Sequence, residues 1–399
     1  GAAPASFAQT AVYKHPWKKH LDVYGKLAEG SFAEVMGTRP VRDLPWDGAC
    51  PTKLSLVVKK MFSGSTRFLK DACVSNALAP LMGALVAPPV DVRKWRGRLY
   101  VLMPRGGQAL DSWIHGGQGR TVVRAMRFKV LAGLLVALRD VAIGIQTMHG
   151  LNLMHCDLKP GNILVRARGD DKDSLLRARI IDFDFVGFGR HHRQGGTIAY
   201  MPSQDLNDFD TVTCSAASDM WAFGVILHEV VYGFRPYEVT SAKTAADDVT
   251  AFQENFNTSA FPPVLKIGIY SSSKQIPEGQ ALLQRLPEEV MRLLRALFFI
   301  DSEDPPQWKD VVDTLDDLAA AAAGVPDIPK DWTFTNSGNA FAAQLPKLEP
   351  VLSQRCKRAI RSAPAKGRSM WKKLEEAVEV RVVAAVQRCV RLYKLARTK

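Results

Sequence analysis

The stretch His155-Cys156-Asp157-Leu158-Lys159-Pro160-Gly161-Asn162-Ile163-Leu164-Val165 constrains this chain more than any other. It is a polar loop that runs into an apolar, β-branched segment, Ile163 to Val165, with the pattern of a strand. A carboxylate, an ammonium and a carboxamide follow one another at spacings of two and three residues. Asp157 can accept a proton, Lys159 can hold a phosphoryl oxygen, and Asn162 can offer a carbonyl oxygen to a divalent metal. That set suits phosphoryl transfer, where a protein mainly positions groups and neutralises developing charge.

The rest of the chain supplies further segments in order. Tyr24 to Val35 reads as two short apolar runs around a turn at Gly30. Leu56-Val57-Val58-Lys59-Lys60-Met61 is a strand pattern ending in charge, and Asp71 is the next carboxylate after it. Leu99 to Pro104 reads as a buried strand running into a hinge at Met103, with Arg105-Gly106-Gly107 as the link beyond. Met126 to His149 has the apolar period of a core helix. Arg179 to Asp184 is a strand ending in Asp182-Phe183-Asp184, and Gly196-Thr197 to Gln204 follows. Ser218-Asp219 to Glu229 is a mostly apolar stretch that carries Asp219 near its start, and Trp308 to Ala323 reads as a closing helix.

These segments resemble, in order, the motifs of the eukaryotic protein kinase superfamily: G-x-G-x-x-G-x-V, V-A-I-K, H-R-D-L-x-x-x-N, D-F-G and A-P-E. Lys159 and Thr197 match its serine/threonine type. The resemblance covers about residues 20–324. It implies an α+β, bilobal fold: a small antiparallel sheet with one helix, then a mainly helical lobe. It also implies ATP and Mg²⁺ as cofactors and a protein substrate. On this reading Asp157 is the catalytic carboxylate and Lys159 supports it. Lys59 holds the α- and β-phosphates and Asp71 braces Lys59. Gly30 covers the phosphates, Met103 lies beside adenine, Asn162 and Asp182 hold metal, and Asp219 anchors the catalytic-loop backbone. A weaker likeness, in the hinge and the eroded loop motifs, is to rhoptry-type kinase-like effectors of coccidian parasites.

The departures from the pattern are specific. Alanines stand at positions 28 and 33 of the first motif, where glycine lets backbone N–H groups approach phosphate. Asp71 replaces the family's glutamate and is one methylene shorter. Asp184 holds the glycine position of D-F-G, where unusual backbone angles are expected. Ser203 or Gln204 stands where A-P-E ends in an acid, and Trp308 stands where the partner arginine would be. Cys156 replaces the catalytic-loop arginine, and Phe185 to Gly196 contains no Ser, Thr or Tyr. Both halves of a phosphate–arginine switch are therefore missing, which predicts no control by activation-loop phosphorylation. A pseudokinase, a scaffold on the same fold, is the alternative function.

Six scattered cysteines lack metal-ligand pair spacing. Free thiols in a reducing compartment are expected, although an even count leaves disulfides open. Cytoplasmic placement is the default, with a secreted effector or a peripheral membrane protein as alternatives. The apolar run Val130 to Leu138 is too short to span a bilayer. The net charge of +13 is concentrated at the end, where 355–399 carries 14 basic residues against 3 acidic ones. That segment has the apolar spacing of an amphipathic helix, suited to docking on the lobe, an anionic membrane surface or a partner, with nucleic acid behind these. The expected organisation is an extension over 1–20, an N-lobe over 21–104, a C-lobe over 105–324, a connector over 325–354 and the basic helical tail over 355–399.

Overall fold

The computed structural model describes residues 15–17, 21–29, 33–40, 56–62, 69–115, 128–167, 176–193, 195–206, 212–239, 244–258, 289–300 and 304–323. The glycine turn at Gly30 and the basic segment 355–399 lie outside these residues. The chain divides into two compact units, Gly1–Arg105 with Phe334–Lys399, and Gly106–Thr333. The composition is α+β: an antiparallel sheet with one helix in the first unit and mainly helices in the second.

The first unit is an antiparallel five-stranded sheet in the order β1-β2-β3-β5-β4. Its strands are β1 (Leu21–Glu29), β2 (Ala33–Pro40), β3 (Leu56–Met61), β4 (Asp91–Trp95) and β5 (Arg98–Pro104). One helix, α1 (Leu69–Met82), joins β3 to β4. Side chains alternate across a strand, so Leu56 and Val58 of β3 pack with Leu21, Met36 and Leu102 on one face. Met61 joins Ala33, Val92, Val101 and Ala72 of α1 on the other. Lys59 shares the parity of Met61, which aims it at α1. Trp17 departs from the expectation of an irregular extension. It is buried in the sheet core, and its indole N–H donates to Asp91 Oδ2 at 2.9 Å. An indole offers a large apolar area with one donor to satisfy, and Asp91 satisfies it.

The second unit opens with β6 (Gln108–Ala109) and α2 (Leu110–His115), followed by the long helix α3 (Phe128–Gly150). Then come β7 (Leu153–Met154), β8 (Ile163–Ala167) and β9 (Leu176–Ile180), with β6, β8 and β9 forming a three-stranded sheet. Two short ladders pair β10 (Gly187–Phe188) with β7 and β11 (His191–Arg193) with β12 (Val212–Cys214). Next are α4 (Ala216–Tyr232), α5 (Ala245–Thr258), a helix α6 over 289–297, and α7 (Trp308–Ala323).

Helix α4 is buried almost all round, as its sequence of apolar residues on every face requires. Ser215 and Ser218 close its first turn, the Ser215 N–H donating to Ser218 Oγ at 2.8 Å. Gly233 ends it at φ 84°, a left-handed cap that glycine adopts without a Cβ clash. The helix residue Trp221 is fully buried among Phe252 and Phe298, and its indole N–H donates to Tyr237 Oη at 2.8 Å.

The apolar stretch of α3 is longer than its first run suggests. Leu131–Gly150 is long and apolar enough to cross a membrane by length and composition. Its charges show why it lies in a protein core instead. Arg139 pairs with Asp316 of α7 at 2.8 Å, and Asp140 accepts from Arg177 at 2.7 Å and from the Ala178 N–H at 3.1 Å. Arg139 and Asp140 therefore continue the helix with partners rather than closing the apolar segment.

Removing the large Trp221 side chain leaves a cavity among rings that cannot close over it. Trp221→Ala is expected to lower unfolding free energy by about 3–5 kcal/mol, read as a lower urea midpoint for the helical unit.

Candidate active site

Asp219 organises the loop that carries Asp157. It sits in the first turn of α4 with 1% exposure. Its Oδ2 accepts the His155 N–H at 2.7 Å and its Oδ1 accepts the Cys156 N–H at 2.8 Å. His149 Nε2, at the end of α3, stands 2.9 Å from Oδ2. The indole N–H of Trp308 donates to His149 Nδ1 at 2.8 Å. An indole nitrogen only donates, so His149 Nδ1 must accept, and the ring proton resides on Nε2 and points at Asp219. Burial by itself would raise the Asp219 carboxyl. The hydrogen bond from His149, the nearby imidazoles and the Cys156 N–H outweigh it and hold the group below its ordinary value.

The loop then presents Asp157, which is 5% exposed. Its Oδ1 accepts the Thr197 N–H at 3.1 Å and the Thr197 hydroxyl at 2.9 Å. Its Oδ2 accepts Lys159 Nζ at 2.7 Å and Asn162 Nδ2 at 3.0 Å. Lys159 Nζ also donates to Thr197 Oγ1 at 2.8 Å. Four of the residues singled out in the sequence, Asp157, Lys159, Asn162 and Thr197, thus meet in one network. Beside it a small cleft is lined by Asp157, Thr197, Tyr200, Met201 and Ser218.

Asn162 is also buried, and its amide nitrogen donates a second time, to the Asp157 carbonyl at 2.8 Å. With the nitrogen committed, the amide oxygen is the end left for a cation. Asp182 follows β9, and the Ile181 N–H donates to the Asn162 carbonyl at 3.0 Å. One amide oxygen and one carboxylate at adjoining strand ends are oxygen donors of the kind Mg²⁺ takes, so the residues present fit that ion.

Phe183 is buried and its ring lies 5.5 Å from that of His155. Left-handed backbone in this region falls at Asn152 (φ 59°), Cys156 (φ 69°) and Asp182 (φ 67°). Asp184 is not among the residues of positive φ, so the angle anticipated at the glycine position is carried by Asp182 instead. Non-glycine residues hold such angles only where their surroundings over-determine them, and here the Asp219 bonds do so for Cys156.

In the sheet unit, Lys59 Nζ pairs with Asp71 Oδ2 at 2.8 Å, both side chains being largely buried. The shorter acid therefore reaches Lys59 directly. Met103 is half-buried near the end of β5. Ala28 opposes Val35 in the β1–β2 ladder, and Ala33 opposes Met61 in the β2–β3 ladder. In the helical unit, Ser203 Oγ meets Gln253 at 3.3 Å, and Trp308 packs edge-on to Phe223 and His149. Neutral contacts thus occupy both places where the motif pattern carries a charge pair.

Two features escaped sequence reasoning. Cys156 and Cys214, 58 residues apart, form a disulfide, which corrects the expectation of free thiols. The pairing of β11 with β12 brings Cys214 beneath the catalytic loop, a long-range contact that no spacing rule reveals. Glu229 of α4 was the second. It is 1% exposed and accepts the Tyr200 hydroxyl at 2.9 Å, joining the segment after Thr197 to the core helix. Burial pushes its carboxyl up to about 7, against the lowering influence of Tyr200 and Arg235.

Known proteins point the same way. The model of the protein kinase domain family matches residues 126–314. Over these residues, just under half of the chain, the sequence is similar to the protein kinase domain family. It is 33% identical over 162 residues to the serine/threonine-protein kinase Aurora-1 of Arabidopsis thaliana, covering 39% of this chain and 49% of that protein. It is 32% identical over 115 residues to the serine/threonine-protein kinase PKZ1 of Phytophthora infestans, covering 25% and 28%. Against the human serine/threonine-protein kinase H2 it is 24% identical over 281 residues, covering 65% and 66%. The chain thus spans under two thirds of the length of each.

A carboxyl whose folded value is raised destabilises the fold when charged. Its neutral form is tolerated below the usual 4.5, and stability is lost as pH rises towards about 7. Glu229→Gln keeps an acceptor for Tyr200 and cannot ionise. Its stability relative to wild type is expected to increase between pH 5 and pH 8, by on the order of 2–3 kcal/mol, in denaturant titrations at each pH.

Proposed function

We propose that this chain is a protein serine/threonine kinase that transfers the γ-phosphoryl group of ATP to a protein hydroxyl. The observation that carries the reading is the Asp157–Lys159–Asn162–Thr197 network. A carboxylate fixed by four donors sits beside an ammonium and at the edge of a small cleft. Mg²⁺-bound ATP supplies the reacting phosphoryl group. In the helical unit Asn162 and Asp182 would hold the metal; in the sheet unit Lys59, held by Asp71 at 2.8 Å, is the cation suited to the α- and β-phosphates. Asp157 orients the incoming hydroxyl and takes its proton. Lys159 balances the charge that gathers on the transferred group. Thr197 keeps Asp157 in register and ties the segment bearing the substrate cleft to the loop.

Activity without activation-loop phosphorylation is part of the proposal. Phe185 to Gly196 offers no hydroxyl, and Cys156 replaces the arginine that would read a phosphate. A stoichiometric phosphate found there by mass spectrometry would contradict it. The basic segment 355–399 is read, from charge and periodicity alone, as able to dock on an anionic membrane surface.

A pseudokinase is the second reading. Internal donors already occupy both Asp157 oxygens, and alanines stand at two motif glycines. Transfer of labelled phosphate to a generic protein substrate separates the two. Asp157→Asn is expected to slow transfer by at least about 100-fold. Equal rates for the two proteins would end the kinase reading. A stabilisation by ATP that requires Mg²⁺ but comes without transfer would favour the pseudokinase.

A further inference from the structure

The catalytic loop is tied to the rest of the unit by a covalent bond that the phosphoryl-transfer chemistry does not use. Cys156, next to Asp157, is bonded to Cys214 at the end of β12. That strand pairs with β11, whose His191 opposes Cys214 directly. The two sulfurs belong to a buried cluster with Met154, packed on by Phe185 and Ala216. One bridge thus touches the catalytic loop, the activation segment through its ladder, and the start of α4.

His191 completes the site. Its Nδ1 lies 2.9 Å from the Gly189 carbonyl, which can only accept. The ring proton is therefore on Nδ1, and the Nε2 lone pair faces Cys156 Sγ at 3.5 Å. Gly187 makes room for this ring, since a Cβ there would lie 2.3 Å from His191 Nε2. When this imidazole takes up a proton it sets an N–H against one sulfur of the pair, which favours the thiolate there and makes that sulfur the better leaving group.

We propose that the Cys156–Cys214 disulfide is a redox-controlled pin. It fixes the catalytic loop against the activation segment covalently, in place of a phosphate–arginine pair, and its reduction releases both. The chemistry stands on the bridge itself; its effect on phosphoryl transfer rests on the kinase reading. In the reducing direction, His191 Nε2 takes the proton of the first thiol of a dithiol reductant, the resulting thiolate attacks Cys214 Sγ, the S–S bond breaks, and Cys156 leaves as a thiolate that receives that proton from His191 Nε2. The second reductant thiol attacks the mixed disulfide and frees Cys214. Two electrons and two protons pass to the cysteine pair, and the reductant ends as its own disulfide. Both cysteines are buried, at 4% and 0% exposure. Exchange therefore waits on opening of the three-residue β11–β12 ladder, which makes the pin durable between redox states.

The test uses the full chain purified without reductant. Peptide mapping under non-reducing conditions is expected to recover the Cys156 and Cys214 peptides linked. Dithiothreitol is then expected to speed proteolytic cleavage within 187–206 and to lower phosphate transfer at least about tenfold. Cys214→Ser should reproduce both effects and no longer respond to reductant. Two free thiols in the oxidised protein would overturn the proposal, as would zinc held by Cys156, Cys214 and His191 in native mass spectra. Cleavage that ignores reductant would overturn it too. Mapping and cleavage do not depend on transfer, so a chain that moves no phosphate still decides the question.

Discussion

A single buried carboxylate sets the geometry on which the rest of this molecule depends. Asp219 takes two backbone N–H groups from a loop that contains no regular structure and a third hydrogen bond from His149. A buried charge is tolerated only when such donors replace its water. Each donor is therefore held in place by the need of the charge, and the loop inherits the rigidity of α4. Trp308 extends the chain by fixing the tautomer of His149, so the closing helix α7 contributes to the position of Asp157 through three successive hydrogen bonds.

The same rigidity explains where backbone strain collects. Cys156 and Asp182 both hold left-handed angles. The first is secured by Asp219 and the disulfide. The second follows the bond between Ile181 and Asn162, which locks β9 to the end of the catalytic loop. Strain of this kind costs on the order of 1–3 kcal/mol per residue. The network around Asp157 gathers its donors from the loop itself and from Thr197, so loop shape and side-chain chemistry are parts of one arrangement.

Much of the fold was legible because its signals are local. The apolar, mostly β-branched run Leu56 to Val58 with charge after it gave the strand. The apolar period of Trp308 to Ala323 gave the closing helix at its observed bounds. Asp157, Lys159 and Asn162 could be singled out because their spacing is short and their chemistry specific, and Asp182 because its segment resembles D-F-G. What could not be read depends on distant contacts. Trp17 looked like part of an irregular extension until the sheet supplied Asp91. Asp184 looked like the strained position, although the strain fell two residues earlier. Cys156 and Cys214 offered no spacing signal, since only the β11–β12 ladder brings them together. Glu229 carried no signal in the sequence, because its burial and its bond to Tyr200 arise only when the segment after Thr197 folds onto α4.

The central claim is that the Asp219 carboxylate makes the catalytic loop part of the helical core, although it has the appearance of a surface turn. Amide hydrogen exchange at His155 and Cys156 tests this directly, because their N–H groups are the ones Asp219 accepts. Protection equal to that of the core of α4, so that both amides exchange only when the whole unit unfolds, is the predicted result. Exchange at these two amides through local opening, with α4 still protected, would contradict the account.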